Sequence, residues 1–374
     1  MTAQSISINA LSQTIGGGLA VARSLTAAMA RERPSADFSV LCSSREVADH
    51  PYPVNVTPIF HPALDSLPLR IAWEQAKLPR VLEQLETDVL LNLGGFSLFG
   101  AGTPQISVWQ NPNIYTRVAI RRSAAVRMQI IMQRCAQHLS MRKSTLNIFL
   151  SHDSVRECAT RWPMHKIPHR VIYHGIELES DSEDAATAVE LDRPFALAVG
   201  HSYFHKNYEA LIDAMAAYRT AYDEELRLVI AGGAVDDSHH RRLLDAIKRR
   251  NLDETVRFLG PTSREQVAYL YRRATVYVTT SLLESFGLTP LEAMSQGVPT
   301  LVSNASCLPE ICEDAALYCD PHDPAEIASK LHDLCSDAAL RENLRERGFE
   351  RVTRFSWESC ARDYLAALDS CLAA

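Results

Sequence analysis

The 374-residue sequence lacks the features of several protein classes. It has no apolar run of about 18 residues, so it predicts no membrane-spanning helix. The first charged side chain is Arg23, so the basic segment that opens a secretory signal peptide is absent. The nine cysteines include no C-x-x-C pair, and their spacings match no common zinc site. We therefore expect a cytoplasmic protein with reduced thiols and no bound metal.

Acidic residues are absent from one long segment, Val89–His152, although the whole chain carries a net charge of −7. The segment also contains large apolar residues, which favours contact with an anionic membrane surface. No aromatic ladder interleaves its charges, so nucleic acid is not expected. The alternative is a solvated helix face whose apolar side belongs to the core. The basic residues of the segment are Arg117, Arg121, Arg122, Arg127, Arg134, Arg142 and Lys143.

Strand-like and helix-like segments alternate along nearly the whole chain. One series opens with a strand at Ser5–Ala10 and a helix at Leu19–Arg31, and a second opens with a strand at Phe195–Gly200 and a helix at Asn207–Tyr218. Apolar strands separated by helices are typical of parallel sheets covered on both faces. The sequence therefore predicts two doubly wound α/β domains that face each other.

Three consecutive glycines, Gly16, Gly17 and Gly18, follow the first predicted strand. Glycine lets the backbone approach a ligand closely, and the helix that follows offers free N–H groups and the positive end of its dipole. A phosphate or a sugar hydroxyl would fit there. The dinucleotide pattern G-x-G-x-x-G is absent, so a tight turn without a ligand is the alternative.

Lys206 lies in the turn between the strand and the helix that open the second series. A lysine at such a turn can reach a diphosphate, because ligands of open parallel sheets bind at the carboxyl ends of the strands. The alternative is a solvated surface lysine. His201 and His205 belong to the same turn.

The strongest site signal is the segment E-S-F-G-L-T-P-L-E, Glu284–Glu292. Pro290 favours the first turn of a helix, which places Glu284 before that helix and Glu292 in its opening turns. Two carboxylates at these positions suit a ligand with sugar rings at both ends and phosphates between them. The N–H groups that would face the phosphates belong to Phe286, Gly287 and Leu288.

These motifs resemble the retaining glycosyltransferases of the GT-B fold, family GT4, also called glycosyltransferase group 1. The resemblance is strongest over Phe195–Asp320. It implies two Rossmann-like domains around a central cleft, an acceptor-side domain at residues 1–178 and a nucleotide-sugar domain at residues 179–355. Phe355-Ser356-Trp357-Glu358 matches the start of a final helix, residues 356–374, that crosses back to the N-terminal domain.

The resemblance also implies residue roles. Lys206 would stabilise the leaving diphosphate, Glu284 would contact the donor sugar near the reacting centre, and Glu292 would bind the ribose hydroxyls. Further donor-binding positions match the glycine-rich first loop, the turn before Lys206 and the base pocket; they are Gly17, Gly18, His201, Gly233 and Leu259.

Two positions depart from the family pattern. His201 stands where the family usually has an arginine, so stabilisation of the diphosphate would rest more heavily on Lys206. Trp109-Gln110-Asn111 stands where many members have a histidine that binds the donor sugar. Gln110 or Asn111 would then replace that histidine on the acceptor or sugar side.

Together these features predict a metal-independent, retaining glycosyltransferase that needs no cofactor. Its donor would be a nucleotide-diphospho-sugar, with GDP-mannose or a related GDP-deoxysugar favoured. Its acceptor would be a glycan or a lipid-linked glycan of bacterial surface polysaccharide or O-antigen synthesis. Peripheral attachment to the inner face of the plasma membrane would use Arg117, Arg121, Arg122 and Arg127. The alternatives are a nucleotide-sugar epimerase of the same fold and a non-catalytic subunit that binds a nucleotide sugar.

Overall fold

The computed structural model describes residues 2–14, 16–62, 67–111, 124–177, 194–222 and 225–372, apart from the side chains of residues 67 and 124–130. The chain divides into two compact units. The N-terminal unit comprises Met1–Gly175 and Phe355–Ala374, and the C-terminal unit comprises Ile176–Arg354.

A parallel sheet forms the centre of the N-terminal unit. Its strands are β1 (Ser5–Ala10), β2 (Asp37–Cys42), β3 (Val56–Phe60), β4 (Val89–Asn92), β5 (Gln105–Trp109), β6 (Leu146–Phe149) and β7 (His169–Val171). Their order across the sheet is β3-β2-β1-β4-β5-β6-β7. Ile8 lies beside Val40 on one side and Leu91 on the other, and all three side chains are fully buried. Such residues on central strands make the sheet a two-sided core.

A helix follows each of β1, β2, β3, β5 and β6, whereas β4 is followed by β5 with no helix between them. These helices are α1 (Gly17–Glu32), α2 (Arg45–Ala48), α3 (Leu67–Gln84), α4 (Ala124–Lys143) and α5 (His152–Ala159).

A second parallel sheet forms the centre of the C-terminal unit. Its strands are β8 (Phe195–Val199), β9 (Arg227–Ala231), β10 (Val256–Gly260), β11 (Val276–Thr279), β12 (Thr300–Ser303) and β13 (Leu317–Cys319). Their order is β10-β9-β8-β11-β12-β13. The helices of the unit are α6 (Tyr208–Ala221), α7 (Asp237–Arg249), α8 (Arg264–Arg273), α9 (Leu288–Ser295), α10 (Leu308–Cys312), α11 (Pro324–Ser336) and α12 (Ala338–Val352).

Local sequence explains where several of these helices begin. The Asp236 carboxylate accepts the N–H groups of Ser238 and His239 at the start of α7. Ser263 and Gln266 form a reciprocal capping box at the start of α8. Both devices satisfy backbone donors that a helix start leaves unpaired.

The last helix, α13 (Trp357–Leu372), belongs to the N-terminal unit, as the sequence predicts. Asp369 on this helix pairs with Arg33 at 2.6 Å and accepts the Ala3 N–H at 3.1 Å. A Cβ atom on Gly175 would stand 2.4 Å from the Trp357 nitrogen, so only glycine permits the close approach at the helix start. The predicted α/β architecture of two Rossmann-like sheets and a returning helix is confirmed.

Candidate active site

The strand order of the C-terminal unit reverses between β8 and β11, which are neighbours at the centre of the sheet. In open parallel sheets this switch point leaves a crevice beyond the carboxyl ends of the two strands, where ligands bind. The loop after β8 carries Lys206, and the loop after β11 carries Glu284. The topology therefore brings together two residues that are far apart in the sequence.

The backbone conformation around Lys206 and the space left by Gly200 determine where its side chain lies. It ends a short 3-10 helix, Phe204–Lys206, and Asn207 then adopts a left-handed conformation with φ of 56°. The Asn207 side chain donates a 2.7 Å hydrogen bond to the Pro321 carbonyl. Gly200 has φ of +142°, and a Cβ atom there would stand 2.9 Å from Lys206 Cε. A glycine at this position therefore leaves the room in which the lysine side chain lies.

Lys206 Nζ and Glu284 Oε1 form an ion pair at 2.7 Å, and both side chains are mostly buried. The two loops are also joined through the backbone, because the Leu282 N–H donates to the His205 carbonyl at 2.8 Å. Ser306 Oγ accepts the Glu284 N–H at 3.1 Å and donates to the Glu284 carbonyl at 2.8 Å. Ser306 therefore holds both the N–H and the carbonyl of Glu284, and the Glu284 carboxylate projects from this fixed backbone.

The protonation state of Glu284 follows from these contacts. Burial alone would raise the pKa of its carboxyl, since burial disfavours the charged form. The positive charges of Lys206 and His205 and the hydrogen bonds from Lys206 and Ser281 outweigh burial, so the pKa lies below its ordinary value. Glu284 is therefore an anion at neutral pH, paired with an ammonium group.

Glu292 lies one helical turn inside α9, which begins just after this ion pair. Gly287 precedes the helix with φ of +94°, a conformation that favours glycine. The Tyr271 hydroxyl lies 3.3 Å from Glu292 Oε2 and 3.1 Å from the Thr289 carbonyl oxygen, so its single proton is shared between these two acceptors. The start of α9, four residues after Glu284, presents the positive end of a helix dipole, and such an end suits an anionic group.

The remaining donor-side residues of the C-terminal unit lie at or after the ends of four neighbouring strands, β10, β9, β8 and β11. His201 Nδ1 lies 3.1 Å from the Gly233 nitrogen, so these two predicted residues are in direct contact. Leu259 is half-buried at the end of β10, and the next carbonyl, that of Gly260, accepts the Gly232 N–H at 3.0 Å. Phe286 is buried beneath the loop, and Leu288 is the first residue of α9.

In the N-terminal unit the strand order reverses between β1 and β4, and the glycine-rich loop follows β1. Gly17 and Gly18 are the first two residues of α1. The Leu93 carbonyl accepts hydrogen bonds from Gln13 Nε2 at 3.0 Å and from Gln110 Nε2 at 3.3 Å. Gln13, in the loop that contains the glycines, and Gln110, a predicted site residue, therefore bind the same carbonyl oxygen. Asn111 is exposed next to Gln110.

The side chains of the four arginines of the predicted membrane surface all lie outside the part of the chain that the structure describes. Arg117, Arg121 and Arg122 lie outside the residues that the structure describes. Arg127 lies on α4, in the part whose side chains are likewise not described.

Sequence reasoning missed the residues that hold the site residues in place. Ser306, Tyr271 and Gln13 lie far along the chain from the groups that they contact, so no local pattern indicates them. Gly200 could have been identified from the sequence, because a glycine directly after a buried strand marks a change of backbone direction. The same holds for Asn207, a residue type that tolerates the left-handed conformation.

The described residues include neither a helix that could span a membrane nor a group of side chains that could hold a metal ion. No helix among them is both long and apolar enough to cross a lipid bilayer. No three or more His, Cys, Asp and Glu side chains among them are grouped in a way that could hold a metal ion.

Part of the chain is similar to a known protein family. Residues 179–351 match the family Glycosyl transferases group 1. O-antigen chain mannosyltransferase B of Escherichia coli is 34% identical over 175 residues, which are 46% of this chain and 45% of that protein. The chain therefore matches less than half the length of this curated relative.

Solved structures match the whole chain. Sucrose-phosphate synthase from Thermosynechococcus elongatus aligns with a TM-score of 0.79 at 20% identity over 99% of both chains. HepE from Anabaena, in complex with UDP and glucose, aligns with a TM-score of 0.77 at 19% identity over 98% of this chain and 99% of that chain. At these identities the matches define the fold.

The chain therefore has the GT-B fold of glycosyltransferases. Within that fold, residues 179–351 match the family Glycosyl transferases group 1. The resemblance inferred from the Lys206 turn and the Glu284–Glu292 segment is confirmed.

Proposed function

We propose that the protein is a retaining, metal-independent glycosyltransferase that uses a nucleotide-diphospho-sugar. The observation that carries the proposal is the 2.7 Å pair of Lys206 and Glu284 at the switch point of a group 1 glycosyltransferase domain. The pair lies next to the start of α9, where two sources of positive potential can meet a diphosphate.

In this mechanism the bond between the anomeric carbon and the diphosphate oxygen breaks as negative charge develops on the diphosphate. Lys206 and the N–H groups at the start of α9 stabilise that charge, and such stabilisation is commonly the largest catalytic contribution. The acceptor hydroxyl attacks the same face of the sugar and passes its proton to the departing phosphate. Glu284 holds the sugar, and Glu292 binds the ribose hydroxyls.

The donor that we propose is GDP-mannose or a related GDP-deoxysugar. It is supported by the name of the Escherichia coli relative, a mannosyltransferase of the O-antigen chain. HepE, whose structure contains UDP and glucose, makes a UDP-sugar the competing donor. The acceptor is a glycan or a lipid-linked glycan of bacterial surface polysaccharide synthesis, bound through the N-terminal unit and its Gln110 and Asn111.

The first experiment is a thermal-shift screen of GDP-, UDP-, ADP- and dTDP-sugars. A ligand at 100 times its Kd should stabilise the native state by about 2.7 kcal/mol, which raises the melting temperature by several degrees. The donor that binds is then incubated with acceptor candidates, and the anomeric configuration of the product is determined by NMR. An inverted product, or no stabilisation by any of the four classes, would contradict the proposal.

A non-catalytic nucleotide-sugar-binding subunit is the second candidate. It is favoured by the substitutions at His201 and at Gln110–Asn111, where the family pattern has arginine and histidine. Slow release of free sugar from the bound donor without an acceptor distinguishes the two functions, because an enzyme hydrolyses its donor slowly and a binding subunit leaves it intact.

We also propose that α4 rests on an anionic membrane surface inside the cell. Among the side chains of α4 that the structure describes, the large exposed apolar ones are Ile131, Met132 and Leu139, which are 50%, 66% and 55% exposed. Spacings of one and eight residues place them within about 100° of each other around the helix axis. Arg142 and Lys143 are exposed at the end of the same helix. An apolar stripe flanked by cations is the pattern that binds anionic lipid interfaces.

Vesicle co-sedimentation tests this surface. Replacing Met132 and Leu139 with Ser should weaken binding to vesicles that contain phosphatidylglycerol, and replacing Arg142 and Lys143 with Gln should weaken it most at low salt. The matched control is Lys166→Gln, an exposed lysine outside α4. Equal vesicle binding by all variants and the native protein would contradict the proposed surface.

A further inference from the structure

His201 packs directly on the loop that follows β9. The Gly233 nitrogen lies 3.1 Å from His201 Nδ1, and the Gly233 carbonyl oxygen lies 3.3 Å from the same atom. A Cβ atom on Gly233 would stand 3.3 Å from Nδ1, a distance tighter than side chains ordinarily adopt. The glycine therefore allows the imidazole to come this close to the backbone.

The two Gly233 atoms make opposite demands on Nδ1, because the amide needs an acceptor and the carbonyl needs a donor. The carbonyl already accepts the Ser202 N–H at 3.0 Å. If Nδ1 carried a proton, that proton would face the Gly233 N–H across only 3.1 Å. The arrangement that satisfies both groups leaves Nδ1 unprotonated and places the ring proton on Nε2.

The contact joins two loops whose backbones also touch. The Gly200 N–H donates to the Ala231 carbonyl at 2.8 Å, and a Cβ atom on Gly232 would stand 2.3 Å from the Gly200 carbonyl oxygen. His201 adds a side-chain contact at the point where the loops separate. The loop after β8 continues from there to Lys206.

We propose that His201 is a positioning residue in its neutral, Nε2-protonated form, which fastens the Gly232–Gly233 loop to the loop that carries Lys206. On this account the imidazole adds no positive charge to the site, although it occupies the position of an arginine in the family pattern. The consequence for donor binding rests on the proposed function, whereas the tautomer does not.

The tautomer is measured on the full chain by NMR with ¹⁵N-labelled imidazole rings. The His201 signals are identified among the 13 histidines by their loss in His201→Asn. We expect the pattern of a neutral ring with unprotonated Nδ1 at pH 7.5. A ring protonated on Nδ1, alone or together with Nε2, would overturn the proposal whether or not any nucleotide binds.

Variants separate positioning from charge. His201→Asn keeps an acceptor near the place of Nδ1, His201→Ala removes it, and His201→Arg supplies the charge without an acceptor. Titration calorimetry with UDP and with GDP should show that Asn retains affinity within about threefold, whereas Ala and Arg lose about 5- to 10-fold, as expected for one hydrogen bond. The matched control is His165→Asn, an exposed histidine of the other unit.

Affinity of the Arg variant equal to or above that of the native protein would show that charge matters at this position and would overturn the proposal. So would an Asn variant as weak as the Ala variant. With the donor that is turned over, Ala and Arg should raise KM more than they lower kcat. If neither UDP nor GDP binds the native chain, the proposed donor fails, and the NMR measurement still decides the tautomer.

Discussion

Each unit of the protein buries one glutamate near the switch point of its sheet, and the two carboxyl groups differ in protonation. Glu74 on α3 is 4% exposed, and its cation Arg70 lies 3.5 Å away. Burial raises the pKa of Glu74 to about 7, although Arg70 and a hydrogen bond with Asn9 act against the increase. Glu284 is also largely buried, but Lys206 at 2.7 Å and further contacts lower its pKa.

The comparison shows that burial alone does not determine the charge of a carboxyl group. A close cation and several donors keep Glu284 ionised, whereas a longer contact to Arg70 leaves Glu74 partly protonated at neutral pH. The C-terminal unit therefore presents a fixed ion pair at its switch point. The corresponding point of the N-terminal unit presents amides and glycines, among them Gln13, Gln110 and Gly18. We attribute leaving-group chemistry to the first and recognition of uncharged hydroxyls to the second.

The largest effect is expected from Lys206→Ala, which removes the cation that distinguishes Glu284 from Glu74. Turnover should fall about 10²- to 10³-fold, by analogy with the loss of one oxyanion-hole donor, or about 2.7–4 kcal/mol. Steady-state kinetics of nucleotide release measures the loss, and Lys248→Ala, an exposed lysine of the same unit, is the control. Near-native turnover of Lys206→Ala would exclude the assigned role.

A second, smaller effect concerns the stability of the N-terminal unit. The pKa of Glu74 in the folded protein is about 7, above its ordinary value, so the folded protein binds a proton that the unfolded chain releases. Stability should therefore be highest below the ordinary value and decrease as the pH rises towards 7. Glu74→Gln should remove this decrease and be more stable than the native protein at pH 8 by about 2–3 kcal/mol.

Chemical denaturation from pH 5 to pH 8 measures that difference, and Glu83→Gln, an exposed glutamate of the same helix, is the control. If the native protein and Glu74→Gln show the same pH dependence, Glu74 is ionised throughout and the contrast with Glu284 is wrong.

Gly200→Ala should have a moderate effect on the ion pair itself. The new Cβ would stand 2.9 Å from Lys206 Cε on a backbone with φ of +142°, so the lysine must move away from Glu284. We expect about tenfold slower turnover, a change in barrier of about 1.4 kcal/mol. Gly100→Ala is the matched control, because a Cβ there meets no atom within 4 Å. Equal kinetics of the two variants would show that the lysine does not depend on this space.

No effect is expected from chelation of divalent metals. The sequence has no D-x-D triplet, and positive charge for the diphosphate comes from Lys206 and the start of α9. Activity measured before and after dialysis against EDTA should be the same. Loss of activity that Mg²⁺ or Mn²⁺ restores would contradict the metal-independent mechanism.

Much of the fold could be predicted because its strands are apolar and separated by helices. The strand at Ser5–Ala10 has the predicted bounds, and the helix predicted at Asn207–Tyr218 is observed at Tyr208–Ala221. The helix after Glu284 begins at Leu288, directly after the positive φ of Gly287, and Pro290 therefore lies in its first turn as predicted. A proline inside the first turn is tolerated, since the N–H that it lacks has no helical partner there.

The site could be predicted only in part. Lys206 and Glu284 were each indicated by a local motif, but 78 residues separate them, and only the pairing of β8 with β11 brings their loops together. The contact of His201 with Gly233 depends in the same way on the pairing of β8 with β9. Local sequence thus indicates which residue types end the strands, whereas strand order determines which of them touch.

A double-mutant cycle on Lys206 and Glu284 tests the central claim most directly, that the two side chains act as one unit at the reacting centre. The kcat for transfer from the identified donor is measured for Lys206→Met, Glu284→Gln and the double variant. We predict that each single change lowers kcat by about 100-fold or more and that the double variant is within about threefold of the weaker single variant, since groups that act together are not additive. Losses that multiply in the double variant, or a single variant with near-native kcat, would contradict the claim.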